Sequence, residues 1–193
     1  METHMENNKM LYSHVSVDCV LLGVNDDKLC VLLIERQMDN SDEKRYKLPG
    51  SLIFENEDLD TAAHRVFNEA TGLKRVPLKQ FRSFGSPSRT KNKDDMQWLE
   101  NAMKLKIERI VTVAYLALSK IGRKSNPTNK YNSLAWFPVD ALPSLPFDHK
   151  EIIEAAVEEI REWVEKEPSI IFDYLIRSIT SHRYCCIACN GPH

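Results

Sequence analysis

Apolar and polar residues alternate along the chain in runs that predict strands. Two runs rich in Val, Leu and Ile, at 14–24 and 28–36, are separated by Asn25, Asp26 and Asp27 and predict a hairpin. Tyr46 to Gly50 predicts a short strand that ends in a Pro-Gly turn. The remaining apolar runs predict strands at 78–84, 108–119 and 133–139.

Helical spacing of apolar residues appears in two long segments. The first segment predicts a helix that Asp58 or Asp60 can cap at its start and Gly72 at its end. Its apolar stripe is formed by Ala62, Ala63, Val66, Phe67 and Ala70. The second spans 149–167, where one predicted apolar face comprises Ile152, Ile153, Ala156, Val157, Ile160 and Val164. A shorter helix is predicted at 96–106. Several strands with only two long helices predict an α+β layered domain.

The bulk composition narrows the class of protein. The chain has 193 residues, of which 42% are hydrophobic, and its formal net charge is −2. This size predicts one domain, and the charge gives no basic field of the kind that nucleic-acid binding needs. No apolar run has the length of a membrane span, and the polar start lacks the apolar core of a signal peptide, so we expect a cytoplasmic protein without membrane contact. Cys19 and Cys30 are expected to be buried, reduced thiols.

The stretch from Leu48 to Leu73 carries the candidate chemistry. A site that cleaves metal-bound diphosphates needs oxygen ligands for the metal, and helix carboxylates three or four residues apart can supply them. A glycine turn before the helix lets the backbone approach phosphates, and an arginine can hold the carboxylates by paired hydrogen bonds.

This stretch resembles the Nudix box, Gly-x5-Glu-x7-Arg-Glu-U-x-Glu-Glu-x-Gly-U, where U is aliphatic. Leu48-Pro49-Gly50 matches the usual entry, and the pattern positions that match are Glu57, Arg65, Glu69, Gly72 and Leu73. Three positions depart from the pattern, namely Ser51, Val66 and Ala70, which stand where the family has a glycine and two glutamates. A register that starts at Gly50 places Asn56, His64 and Asn68 on acidic or arginine positions and fits worse.

The departures bear on metal binding. The resemblance implies Glu57, Arg65 and Glu69 as the catalytic set, with Mg²⁺ or Mn²⁺ as the cofactor of an active enzyme. Val66 and Ala70 share a helix face and are apolar, so Glu69 alone would hold a metal weakly. The resemblance therefore leaves open whether the chain is an enzyme; if active, it would be a Nudix hydrolase (a pyrophosphatase) with a degraded metal site.

Sequences on both sides of the box resemble the Nudix domain of the Nudix-related transcriptional regulators. The resemblance implies an α/β/α sandwich with a mixed central sheet over 14–167, preceded by a flexible segment at 1–13. In those regulators the domain senses ADP-ribose or a sugar, a winged-helix domain binds DNA, and the protein is a homodimer. Only 25 residues follow Pro168, so we interpret 168–193 as a short extension or truncated linker and expect no DNA binding by this chain alone. Its Cys186-x2-Cys189 pair suggests half a zinc site, for which no second pair is apparent.

The same resemblance suggests ligand-binding residues. Arg36, Arg89 and Arg109 could hold phosphate by their fork geometry, although each could equally be a surface arginine. Phe84 could stack on a base, whereas Trp136 is expected in the core. Asp148 is expected to cap the last helix, and His149 could line the pocket.

Three functions remain compatible with these residues. The first is a sensor domain that binds a nucleoside-diphosphate or sugar-type ligand and is catalytically impaired. The second is a divergent metal-dependent hydrolase, similar to ADP-ribose pyrophosphatases, that cleaves a nucleoside diphosphate linked to another moiety. The third is a dimer scaffold without a ligand.

Overall fold

A computed structural model of the protein describes residues 11–25, 28–36, 44–73, 76–119, 121 and 133–166. Within these ranges the strands are β1 (Leu11–Asn25), β2 (Lys28–Arg36), β3 (Arg45–Lys47), β4 (Gly50–Phe54), β5 (Lys79–Phe84), β6 (Val111–Leu118) and β7 (Leu134–Pro138). The helices are α1 (Leu59–Thr71), α2 (Lys93–Met103) and α3 (His149–Lys166), with a 3₁₀ turn at Pro87–Thr90. No helix within the described ranges combines the length and apolarity needed to cross a membrane.

One mixed sheet forms the centre of the fold. Its main path runs β3-β2-β1-β6-β5, while β4 pairs with β1 and β7 pairs with β2. β1 and β6 are parallel, and the other pairs are antiparallel. The predicted α+β class with a mixed central sheet between helices is therefore confirmed.

The alternation of side chains along β1 assigns each sheet face to one helix. Val17, Cys19 and Leu21 pack with α1 on one face, whereas Val20 and Leu22 pack with α3 on the other. Because helices cover both faces of the sheet, the residues of β1 that point to either face are apolar. This nearly continuous apolar run is the pattern from which the hairpin was predicted.

Local signals at the ends of α1 correctly mark its boundaries. Of the two predicted N-caps, Asp58 is the one used, since its Oδ1 accepts a hydrogen bond from the Thr61 amide at 2.7 Å. Gly72 closes the helix in the left-handed region at φ 70° and donates its amide to the Asn68 carbonyl. Cys19 and Cys30 are buried and unoxidised, as predicted.

Several predicted boundaries differ from the structure. β1 begins at Leu11 rather than at residue 14. The sequence predicts no strand at Gly50–Phe54 (β4) and places only Gly50, in the Pro-Gly turn. The strand forms because its backbone pairs with β1. α2 begins at Lys93 because the Asn92 side chain accepts from the amides of Asp94 and Asp95. Residues 1–10 and 167–193, with the three C-terminal cysteines, lie outside the described part of the chain.

The predicted apolar face of α3 is wrong at its C-terminal end. Val164 is 38% exposed, whereas Trp163 is 8% exposed and belongs to the core. The indole of Trp163 contributes more apolar surface to the cluster than the Val164 side chain would, and its Nε1 donates to Glu159 at 2.9 Å. The buried face of α3 therefore includes Trp163 and not Val164.

Candidate functional site

A cavity of about 170 Å³ lies between β1, β4, α2 and the start of α3. We call it the β1–α2 pocket. Its wall is largely apolar, and this part is formed by Leu52, Trp98, Leu99, Ala102, Met103, Ile110 and Phe147. Its polar end is formed by Asp18, Lys47, Arg89 and His149. A mostly apolar cleft with a few convergent polar groups is the usual form of a small-molecule site.

Arg89 links the elements around the polar end. The guanidinium donates to Asp18 Oδ2 at 3.0 Å and to Asp148 Oδ1. All three residues are buried. Burial by itself raises the pKa of Asp18, but His149, which becomes charged in the acidic range in which Asp18 titrates, and the Arg89 cation outweigh this effect, so the pKa of Asp18 is lowered. Burial raises the pKa of Asp148, and Arg89 opposes this shift. The contacts with both carboxylates connect Arg89 of the 3₁₀ turn to β1 and to the start of α3.

His149 is buried beside this ion pair and is 3% exposed. Its Nδ1 accepts a hydrogen bond from the Leu48 amide at 3.2 Å, which places the proton of the neutral ring on Nε2. Nε2 lies 3.7 Å from Asp18 Oδ1. Burial lowers the pKa of His149 to about 4, with Asp18 opposing the shift and Arg89 adding to it. The imidazole is therefore neutral at pH 7.

Lys47 supplies the second cation of the polar end. Its Nζ donates to the carbonyls of Gly50 at 3.0 Å and Leu48 at 3.3 Å. Burial lowers the pKa of Lys47 to about 8, and the nearby Asp18 opposes this. The ammonium therefore stays largely protonated at pH 7.

A second cavity of about 370 Å³ lies next to β3 and the start of α2. Arg36, which is 5% exposed, lines it together with Lys44, Arg45 and others. The Arg36 guanidinium donates to Asp95 at 2.5 Å and lies 4.0 Å from the centre of the Trp98 ring. Arg36, which lines the second cavity, thus contacts Trp98, a wall residue of the β1–α2 pocket, and helps to hold its ring in place.

The predicted catalytic residues, which are Glu57 just before α1 and Arg65 and Glu69 within it, form a separate cluster. Arg65 Nε donates to Glu57 Oε2 at 3.0 Å, and its NH2 donates to Glu57 Oε1 and to the Leu52 carbonyl. Glu69 lies 3.5 Å from Arg65, and its side chain is 65% exposed. These three residues are thus brought together, but none of them lines the β1–α2 pocket.

Val66 and Ala70 lie on the adjacent, buried face of α1. They are 4% and 7% exposed, and Val66 packs with Val17 and Phe67 in the core between α1 and the sheet. In the part of the chain that the structure describes, no group of three or more His, Cys, Asp or Glu side chains could hold a metal ion. A divalent metal therefore does not fit the residues of α1, because both acid positions are hydrocarbon and Glu57 is already paired with Arg65.

The predicted ligand-binding residues divide into three groups. Arg89 and His149 line the β1–α2 pocket, and Arg36 lines the second cavity. Arg109 is exposed and donates to the Gly85 carbonyl at 2.8 Å. Phe84 packs half-buried against the core under α3, so neither Arg109 nor Phe84 lines these two cavities. Trp136 packs beside α1, as predicted for a core residue.

Sequence reasoning missed the two pocket residues Asp18 and Lys47. Asp18 is a lone carboxylate inside the apolar run 14–24, and a buried carboxylate needs a partner. That signal could have identified Asp18 as part of a charged site. Asp148 was predicted to cap α3, and the structure shows its carboxylate bound to Arg89.

The chain is similar in sequence to a known domain family and to a curated protein. The NUDIX domain family matches residues 12–157. The ADPR responsive transcriptional repressor NtrR of Acinetobacter baylyi is 29% identical over 147 residues, which cover 74% of this chain and 52% of the repressor. The chain thus spans about half the length of this curated relative.

Two solved structures of a protein from Shewanella oneidensis are similar as well. The crystal structure of NrtR is 26% identical with a TM-score of 0.60, covering 78% of this chain and 65% of that chain. The NUDIX domain of NrtR complexed with ADP ribose is 26% identical with a TM-score of 0.56, covering 77% of this chain and 89% of that chain.

Proposed function

The chain belongs to the NUDIX domain family, and on that basis we propose that it is a ligand-binding domain for a nucleoside diphosphate of the ADP-ribose type, with impaired hydrolysis. This proposal rests on the observation that the box residues Glu57, Arg65 and Glu69 do not line the β1–α2 pocket. The β1–α2 pocket has an apolar wall and a charged end, whereas the box helix α1 turns Val66 and Ala70 into the core.

The names of the similar proteins agree with this ligand class. One relative is called ADPR responsive, and one similar domain was crystallised with ADP ribose. In the present chain, Trp98 and Phe147 offer aromatic surface for a base, and the polar end offers donors and acceptors for sugar or phosphate groups.

Impaired hydrolysis is proposed from the chemistry of α1. Metal-assisted attack of water on a phosphate requires a metal held by protein oxygens. Glu69 is the one box carboxylate that faces solvent, and Arg65 lies beside it at 3.5 Å. Binding without efficient turnover is the outcome that this arrangement favours.

Calorimetric titration with ADP-ribose, with and without Mg²⁺ or Mn²⁺, tests the proposal when product is measured by chromatography in the same samples. We expect binding with little dependence on metal and no product. Turnover that Glu69→Gln abolishes would establish the hydrolase instead. Glu154→Gln, at an exposed position of α3, is the matched control, because a contaminating hydrolase would give the same turnover in both variants.

The oligomeric state, the cellular location and the regulatory role of the protein are further points of the proposal. The resemblance to regulators leads us to propose a homodimer in the cytoplasm, which sedimentation equilibrium and cell fractionation would test. Whether the protein takes part in transcriptional control is a question for its whole length, because the relative that suggests such a role is matched over 52% of its own chain.

A further inference from the structure

The proposed function leaves open which end of the ligand enters the β1–α2 pocket. Resting on that function, we infer that this pocket holds the nucleoside end, base and ribose, and leaves the diphosphate outside. Three observations carry the inference: the size of the pocket, the balance of its charges and the chemistry of its walls.

The pocket is too small for a whole nucleoside-diphosphate sugar. Its volume is about 170 Å³, whereas pockets that enclose drug-sized ligands measure roughly 300–1,000 Å³. A ligand with two sugars, a base and two phosphates would therefore place only one part inside. The second cavity is larger, but its lining shares no residue with this pocket.

The charges at the polar end are already balanced. Arg89 and Lys47 are positive, Asp18 and Asp148 are negative, and His149 is neutral at pH 7. The Arg89 fork, which could bind phosphate, is used by the two carboxylates. A diphosphate placed here would bring two negative charges into a buried site with no positive charge in excess, which is unfavourable.

The same groups suit an uncharged, hydroxyl-bearing ring. Asp18 Oδ1 adjoins the position of Gly50, where any Cβ would lie 1.9 Å from that oxygen and cover it. A carboxylate at this place can accept hydrogen bonds from sugar hydroxyls, which are donors without charge. The aromatic and aliphatic walls formed by Trp98, Leu99 and Phe147 suit the faces of a base.

Competition against bound ADP-ribose tests the inference on the unmodified protein. We expect adenosine to displace it, and inorganic pyrophosphate at the same concentration not to displace it. Displacement by pyrophosphate, or failure of adenosine to displace, would overturn the inference. Should ADP-ribose itself not bind, the proposed function fails, and direct titration with adenosine still decides the inference: heat of binding supports it, and its absence overturns it.

A pair of neighbouring substitutions locates the binding. Ala102 and Asn101 are both exposed on α2, but only Ala102 lines the pocket. Ala102→Phe should weaken adenosine binding by about tenfold or more, because it fills the cavity. Asn101→Phe should change that affinity by less than about twofold. Equal effects of the two substitutions would mean that adenosine binds elsewhere, and would overturn the assignment.

Freeing Arg89 gives a third, independent readout. Asp148→Asn removes one of the two negative charges that bind the guanidinium. The ratio of pyrophosphate to adenosine affinity should then rise by about tenfold, since a cation becomes available for phosphate. A ratio that stays unchanged in a folded Asp148→Asn protein would contradict the argument from balanced charge.

Discussion

The carboxylate of Asp18 occupies the space that a side chain at residue 50 would need. A Cβ built at Gly50 would lie 1.9 Å from Asp18 Oδ1 and 3.1 Å from the Val17 carbonyl oxygen. Asp18 cannot easily move aside, because its other oxygen is bound by Arg89 at 3.0 Å. Close approach of β4 to the charged end of the pocket therefore requires glycine at this position.

Gly50→Ala should for this reason destabilise the fold and distort the pocket. We expect the free energy of unfolding in urea to fall by about 1–3 kcal/mol, the usual cost of overpacking. Gly85→Ala is the matched control, since the three atoms nearest to its Cβ would all belong to the Val111 side chain, at 3.2 Å and beyond. Equal stability of the Gly50→Ala and wild-type proteins would show that Asp18 is free to move.

Arg65 joins the loop before α1 to the helix itself. Its guanidinium binds both oxygens of Glu57, donates to the Leu52 carbonyl at 3.1 Å and stacks on the Phe54 ring at 4.1 Å. Lysine keeps the charge but cannot reproduce this fork. Arg65→Lys should therefore cost about 1–2 kcal/mol of unfolding free energy.

An exposed arginine provides the comparison for this prediction. Arg161 pairs with Glu158 at 3.0 Å on the surface of α3, so Arg161→Lys should change the stability by less than about 0.5 kcal/mol. Similar losses in the two variants would indicate that the contacts of Arg65 with Glu57 and Leu52 contribute little.

Restoring the family glutamates tests the burial of the box face. The double substitution Val66→Glu with Ala70→Glu places glutamates at both positions where the family pattern has them, so the sequence predicts an increase in metal affinity. In the structure both positions are buried, so the double variant should lose about 3 kcal/mol or more from burying unpaired carboxylates. Thermal unfolding with and without Mn²⁺ measures both effects.

Asn68 offers a control on the same helix. It is exposed, so Asn68→Glu should leave the melting temperature nearly unchanged. A double variant at Val66 and Ala70 that is as stable as Asn68→Glu and binds Mn²⁺ would show that this face of α1 can open to ligands.

The elements of the fold could be predicted largely from local pattern. The apolar stripe of α1 and its Gly72 end depend on residues within one helix, and the structure has them as predicted. Of the two predicted N-caps, Asp58 and Asp60, the structure uses Asp58. β4 escaped prediction because Gly50–Phe54 is short and owes its strand conformation to pairing with β1. Trp163 replaced Val164 in the core through contacts that only the folded chain provides.

The pocket depends on contacts between distant parts of the sequence. Asp18 and Arg89 are 71 residues apart, and His149 and Leu48 are 101 residues apart. No spacing rule links such residues, so Arg89 and His149 were identified only through the family resemblance, without their partners. Of the three arginines expected to bind phosphate, Arg36 is paired with Asp95 and Arg89 with Asp18 and Asp148, whereas Arg109 donates to the Gly85 carbonyl.

His149 should make the stability of the protein depend on pH. Its pKa is lowered to about 4 in the folded protein, against about 6.5 when unfolded. The unfolded chain thus binds a proton that the folded chain excludes, so this contribution is complete above about pH 6.5 and is lost as pH falls towards 4, by about 3 kcal/mol. His149→Asn, whose side-chain oxygen can still accept from Leu48, should flatten the urea stability profile between about pH 6.5 and 5. His64→Asn, at an exposed position, should leave that slope as in the wild type, and an equally steep profile in His149→Asn would rule out His149 as the source.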